Sequence, residues 1–204
     1  MQDIVPETVK DTKKDSETDE NQAAENGGVS RGGALAGLYD WISAAVFALV
    51  LVTLVFSFWF RIVEVDGNSM NPTLLDTERL ITNRLCYTPE RGDIVIVNLR
   101  TREPLVKRVI ALGGDTLRID DETNTVYING EALDEPYIQG RTFSLGFGTE
   151  ERVIPDGYVF VMGDNREDST DSRFMNQVGY VKQSDLIGEA VYRFFPLSRA
   201  GGLQ

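Results

Sequence analysis

The chain has 204 residues, room for one ordinary domain plus an appendage, with 32 Asp+Glu against 20 Lys+Arg and a formal net charge of -12. That acidic balance argues against a nucleic-acid partner, which selects a basic face. Histidine is absent, which excludes Ser-His-Asp and Cys-His catalysis and imidazole metal sites, and the single cysteine, Cys86, excludes an internal disulfide or a cysteine zinc cage.

Residues 1–40 open the chain as a polar, acidic tail that includes DTKKDSETDENQAAENGG. Such a composition buries too little apolar area to offset the entropy of ordering, so the tail is expected to be disordered. Residues 41–60, WISAAVFALVLVTLVFSFWF, carry no charge between Asp40 and Arg61. At ~1.5 Å per residue they reach about 30 Å, the thickness of a bilayer core. Trp41 and Trp59 stand at the two ends, where interfacial aromatics belong, and no polar face interrupts the run. The spacing predicts a retained transmembrane helix rather than a cleaved leader: the apolar run is too long, starts too late and lacks a small-x-small pair after Phe60. Lys10, Lys13, Lys14 and Arg31 precede it and Arg61 follows it, which leans toward a cytoplasmic N-terminus.

Residues 61–204 read as one mainly β domain, tethered by that helix. Short β-branched and apolar runs recur at Ile94–Val97, Val106–Leu112, Thr116–Ile119, Thr125–Ile128, Tyr158–Met162 and Leu186–Phe195, punctuated by Gly, Asp, Asn and Pro. Asn129-Gly130 between two such runs is a strong hairpin signal. No later segment has sustained helical periodicity and no internal repeat is present. Cys86, in a β-patterned stretch, reads as inert core filler.

Three places in this domain carry chemistry. Ser69 lies nine residues beyond Phe60, bracketed by Gly67 and Pro72, so it sits within roughly 30 Å of a membrane surface. It is either a plain turn residue or a nucleophile, and a nucleophilic serine needs a base. Without histidine, lysine is the remaining candidate, and only if desolvated. Two lysines follow Phe60. Lys182 has polar neighbours; Lys107 lies in EPLVKRVIALGGD, with Leu105 and Val109 on its face of a strand and Arg108 on the other with Val106 and Ile110. Lys107 is thus either a surface lysine or a buried amine whose charge is disfavoured. The third place is GDNREDSTDSR, Gly163 to Arg173, with four carboxylates, two arginines and two serines. It reads as a solvated acidic loop, a carboxylate calcium site lacking EF-hand spacing, or a polar network in which Asp171 pairs with Arg173 while Ser169 orients a neighbour. Arg91-Gly92-Asp93 reads as a turn, and Gly113-Gly114 matches no phosphate loop.

Taken together, the segments GNSMNPTL (67–74), RGDIVIV (91–97), KRVIALGGD (107–115) and GDNREDSTDSR (163–173), in that order behind an apolar helix, resemble the bacterial type I signal peptidases, in a short Gram-positive-like form. The resemblance implies a signal-peptidase-like β ectodomain on one N-terminal transmembrane helix. It also implies a membrane-bound serine endopeptidase that removes signal peptides from secretory preproteins after small residues at -1 and -3. By the same resemblance Ser69 is the nucleophile and Lys107 the general base, with Ser169 orienting the lysine and Asp171 and Arg173 forming a supporting salt bridge. Gly67 stands where some members use an oxyanion-hole hydroxyl, so the backbone N–H of Ser69 is expected to carry more of that task. No cofactor and no metal are implied. The expected partners are secretory preproteins and the lipid bilayer, with action downstream of the translocation machinery. The expected place is the cytoplasmic membrane, single-pass, with the catalytic domain outside. Phe143 to Phe147 is a candidate membrane-facing surface or an ordinary packed loop. The alternatives are a Ser-Lys peptidase dedicated to one substrate class such as pilins, and a membrane-anchored β module that binds without catalysis. A self-cleaving Ser-Lys repressor fits less well, because the chain has an anchor and no basic recognition helix.

Overall fold

The computed structural model describes residues 31–84, 87–99 and 103–203. Residues 1–30 of the tail expected over 1–40, and the lone Cys86, lie outside the described residues. The chain divides into two units, Met1–Leu51 and Val52–Gln204.

Helix α1 (Arg31–Trp59) contains the segment Gly37–Ser57, 21 residues long and apolar enough to cross a membrane. Its large apolar side chains are exposed, Trp41 and Phe47 among them. An apolar surface of that extent is stable against lipid rather than water. The helix starts ten residues before the expected Trp41, so residues 31–40, assigned from composition to the disordered tail, form its first turns. The helix formers Ala34, Leu35, Ala36 and Leu38 outweigh the intervening glycines there. It also ends one residue early: Phe60, counted into the apolar span, opens strand β1 (Phe60–Glu64). The alternation of Phe60-Arg61-Ile62-Val63 suits a strand, and Phe60 pairs with Asn83 of β2 (Arg79–Asn83).

The β unit continues through β3 (Ile94–Val97), β4 (Leu105–Leu112), β5 (Thr116–Asp120), β6 (Thr125–Ile128), β7 (Glu131–Ala132), β8 (Arg152–Val153), β9 (Tyr158–Met162), β10 (Val181–Lys182), β11 (Leu186–Phe195) and β12 (Gly201–Gly202). The larger sheet runs β1-β2-β11-β3-β4-β9-β10, with β12 on β11; the smaller runs β7-β6-β5-β8. All six runs picked from sequence are strands. Asn129 and Gly130 both adopt positive φ (53° and 83°), the pair of conformations that closes the β6–β7 hairpin as a type I′ turn. Arg91-Gly92-Asp93 is a turn, its Asp93 carboxylate accepting from Tyr87 Oη and Glu90 N.

Strand β3 shows why the large sheet is central. All four of its residues are buried, and alternation sends Ile94 and Ile96 into one core cluster and Val95 and Val97 into another. The first cluster also holds Val65, Met70, Leu74, Leu80 and Val106, so the loop bearing Ser69 is anchored in apolar packing. Burying a side chain such as Leu74 contributes about 1.5 to 3 kcal/mol. A third cluster joins Ile110, Leu117, Val126, Phe147 and Phe160 beneath the smaller sheet. Phe147 is fully buried and edge-on to Phe160, with ring centroids 4.9 Å apart, while Ser144 donates through N and Oγ to Asp121. The Phe143–Phe147 segment is therefore mainly a packed loop, and Phe143 and Leu145 are its exposed apolar side chains.

Candidate active site

Ser69 lies on the loop between β1 and β2. Met70 and Leu74, just after it, bury their side chains, and Leu74 N donates to Met70 O at 2.9 Å, tightening the segment into a turn. Gly67 sits at φ +83°, a conformation a side chain disfavours, and its N–H donates to Asp76 Oδ1 at 2.8 Å. The loop is tied to the segment after β9: Asn165 N donates to Ser69 O (3.0 Å), Asn165 Nδ2 to Asn68 O (3.1 Å) and Thr73 Oγ1 to Asp164 Oδ2 (2.5 Å).

Lys107 belongs to β4, an inner strand paired with β3 and β9, opposite Val95. It is 2% exposed, so the surface-lysine reading does not hold. Its Nζ lies 2.6 Å from Ser69 Oγ and 3.0 Å from the carbonyl of Val106. Burial, the largest influence, pushes this amine down from 10.5 to about 8; the charges of Asp171 and Asp164 oppose the shift and that of Arg173 reinforces it. A neutral amine in contact with a hydroxyl is what a serine needs to lose its proton near neutral pH. Lys182, by contrast, is exposed.

The acidic-loop and calcium readings of 163–173 give way to a polar network. Asp171 and Arg173 are both fully buried and pair bidentately, Nε to Oδ1 and Nη2 to Oδ2, each at 2.8 Å. Asp171 also accepts from Gly163 N at 3.1 Å, which fixes the end of β9. Among the described residues no group of three or more carboxylates, cysteines or histidines converges to hold a metal ion. Ser169 is buried, but its Oγ has no hydrogen-bond partner among the described residues, so the structure does not join it to Lys107. It packs instead where Gly163 lies: a Cβ at that position would stand 2.3 Å from Ser169 Oγ and 2.4 Å from Ser69 O. Gly163 lets the two segments meet.

The sequence reading missed several residues that build this site. Arg108, next to Lys107, is 2% exposed and forks onto Asp164 (Nε–Oδ1 2.9 Å, Nη2–Oδ2 2.7 Å) while stacking on Tyr137. Asp164 thus joins the lysine strand to Thr73 of the serine loop. Arg166 lies behind it, paired with Glu135 and donating to Thr142 Oγ1 and Gly163 O. An arginine flanked by Val106 and Ile110 was a usable signal of a buried ion pair; nothing local marked its partner.

The profile described as "Signal peptidase, peptidase S26" matches residues 38–195. The chain belongs to the signal peptidase family. The signal peptidase I of Bacillus licheniformis is 38% identical over 174 residues, covering 79% of this chain and 90% of that protein. Signal peptidase I T of Bacillus subtilis is 39% identical over 172 residues, covering 78% and 86%. A solved signal peptidase I from Enterococcus faecalis is 30% identical and covers 52% of this chain and 98% of that one, with a TM-score of 0.42. As a member of the signal peptidase family the chain is a serine endopeptidase, and with its apolar helix a membrane-anchored one.

Proposed function

We propose that this peptidase cleaves signal peptides from secretory preproteins with Ser69 as nucleophile and Lys107 as general base. The observation that carries the proposal is the 2.6 Å contact between Ser69 Oγ and the amine of a lysine that is 2% exposed and pushed down to about 8. As Oγ attacks the scissile carbonyl carbon, its proton passes to the neutral Nζ. The resulting ammonium then gives that proton to the leaving amine as the tetrahedral intermediate collapses to an acyl-enzyme. In the second half Nζ takes a proton from water, which attacks the ester and releases the carboxyl product; the proton returns to Ser69 Oγ.

Gly67 offers no hydroxyl to the oxyanion and its own N–H is engaged by Asp76. That leaves the backbone N–H of Ser69 as the proposed donor, a contribution of about 3 to 4 kcal/mol for a well-placed group. The Asp171–Arg173 pair holds the Gly163 turn against the serine loop in this reading, and Ser169 contributes through packing at Gly163. The membrane helix keeps Ser69 near the bilayer, where an inserted substrate presents its cleavage site. The basic residues ahead of the helix support an inner N-terminus and an outer catalytic domain, acting after translocation. Processing of a standard preprotein by full-length wild type, Ser69→Ala and Lys107→Ala, with the cut site mapped, tests the dyad. The expected result is cleavage after a small residue by wild type alone; a Lys107→Ala variant that still processes the preprotein refutes it.

A further inference from the structure

The serine loop is held on its second side by a group that lies far from it in sequence. Glu78, 2% exposed, opens the segment into β2, and its Oε2 accepts from Leu75 N at 3.1 Å. Arg193, on β11, places Nη1 3.2 Å from that same oxygen and 2.8 Å from the carbonyl of Thr73. Arg199, just beyond β11, places Nη1 3.1 Å from Glu78 Oε1 and directs Nη2 to the carbonyls of Pro72 (3.2 Å) and Thr73 (3.3 Å). The two arginines are themselves joined, since Arg193 Nε donates to the backbone carbonyl of Arg199 at 2.6 Å. Both guanidinium groups thus converge on one buried carboxylate and on two consecutive carbonyls of the loop, three and four residues past Ser69.

We propose that Glu78, Arg193 and Arg199 form a positioning clamp that sets the attack geometry of Ser69, a reading that rests on Ser69 being the nucleophile. The carbonyls of Pro72 and Thr73 would otherwise need water or a local partner; guanidinium forks fix both their place and their direction. Asp164 and Asn165 grip the opposite side of the same loop, so the loop is caught between β9 and β11 and has little freedom to swing Oγ away from Nζ. A misplacement of about 1 Å at the reacting atoms costs on the order of a hundredfold in rate. Loosening one side should therefore lower kcat while leaving substrate affinity largely intact.

The test uses full-length protein in detergent micelles, with kcat and KM measured per folded molecule and folding followed by thermal unfolding. Arg199 is partly exposed, so Arg199→Ala keeps the fold; kcat falls at least fivefold with KM within twofold, and Arg199→Lys, which retains a donor, recovers most of the loss. Arg193→Ala strands the buried Glu78 charge and lowers Tm, so the paired variant Glu78→Gln/Arg193→Met removes both charges together. Its kcat falls at least tenfold even where the protein is fully folded. Wild-type kcat in folded Arg199→Ala, or a loss confined to KM, overturns the clamp. Wild type and Ser69→Ala run alongside: equal cleavage by both defeats the nucleophile assignment, whereas cleavage by wild type alone with unaffected clamp variants defeats only the clamp.

Discussion

The pH dependence of cleavage is the most exacting consequence of a buried Lys107, and pH itself is the perturbation. With the amine pushed down to about 8, about one molecule in ten carries a neutral Nζ at pH 7, half at pH 8 and about nine in ten at pH 9. The rate should rise about tenfold from pH 7 to 9 and level off above that. An ordinary exposed lysine would give a rise of about a hundredfold over the same interval with no plateau. The assay is single-turnover cleavage of a preprotein by full-length protein at saturating enzyme. A flat rate between pH 6 and 9, or a climb that never levels, would refute the reasoning. Stability moves with the same proton. The unfolded chain holds the proton up to 10.5 and the folded one releases it near 8, so fold stability is lowest below about 8 and rises with pH from there to 10.5. The full difference between 10.5 and about 8, at about 1.4 kcal/mol for each tenfold in proton affinity, is about 3.5 kcal/mol. Urea unfolding at pH 7 and pH 10 reads about 2.5 kcal/mol of it, provided other groups are corrected with Lys107→Met.

Ser69→Ala should lower kcat by about a thousandfold or more with an unchanged unfolding midpoint, because it removes a nucleophile and no buried packing. Asp164→Asn leaves the Arg108 guanidinium buried without its carboxylate, a loss of about 3 to 5 kcal/mol, and denaturant unfolding measures it. Gly163→Ala drives a methyl into Ser169 and the Ser69 carbonyl, a destabilisation of about 1 to 3 kcal/mol, and cleavage should be lost even where the fold is retained.

Much of this molecule was legible in its sequence because the strands that matter are short apolar runs with sharp ends. Strand β3 has four consecutive β-branched residues after a Gly-Asp turn, and β9 stops where Gly163 begins, so their limits needed no tertiary information. Strands β1 and β2 were not legible: Phe60-Arg61-Ile62-Val63-Glu64 follows the apolar helix without a break, and Arg79–Asn83 owes its strand form to pairing with β1 and β11. The helix start at Arg31 escaped because charge and glycine content outweighed the local Ala-Leu propensity in the reading, whereas the chain follows the propensity. Within the site, the absence of histidine left Ser69 and Lys107 as candidates with plain alternatives open, and it was the resemblance of the four segments to the signal peptidases that implied the pair. Glu78 and Arg193 did not, since they are brought together across 115 positions by sheet order alone.

The adjacent pair Lys107 and Arg108 shows how one strand surrounds two neighbouring cations differently. Both are 2% exposed, so burial alone would penalise both charges. Arg108 is met by a full carboxylate, Asp164, at two hydrogen bonds, by the carbonyl of Gly92 and by the face of Tyr137. Lys107 is met by a hydroxyl and a carbonyl, groups that accept from an ammonium but do not neutralise it. Asp171 reaches Lys107 only through space, and its own charge is largely spent on Arg173, which sits close enough to push the amine down. Replacing Asp171 with asparagine would leave Arg173 unpaired and lower the Lys107 midpoint further, at a cost to the fold of about 3 to 5 kcal/mol. The arrangement therefore separates two tasks: carboxylates are assigned to the arginines that hold the scaffold together, and withheld from the one amine that has to give up its proton.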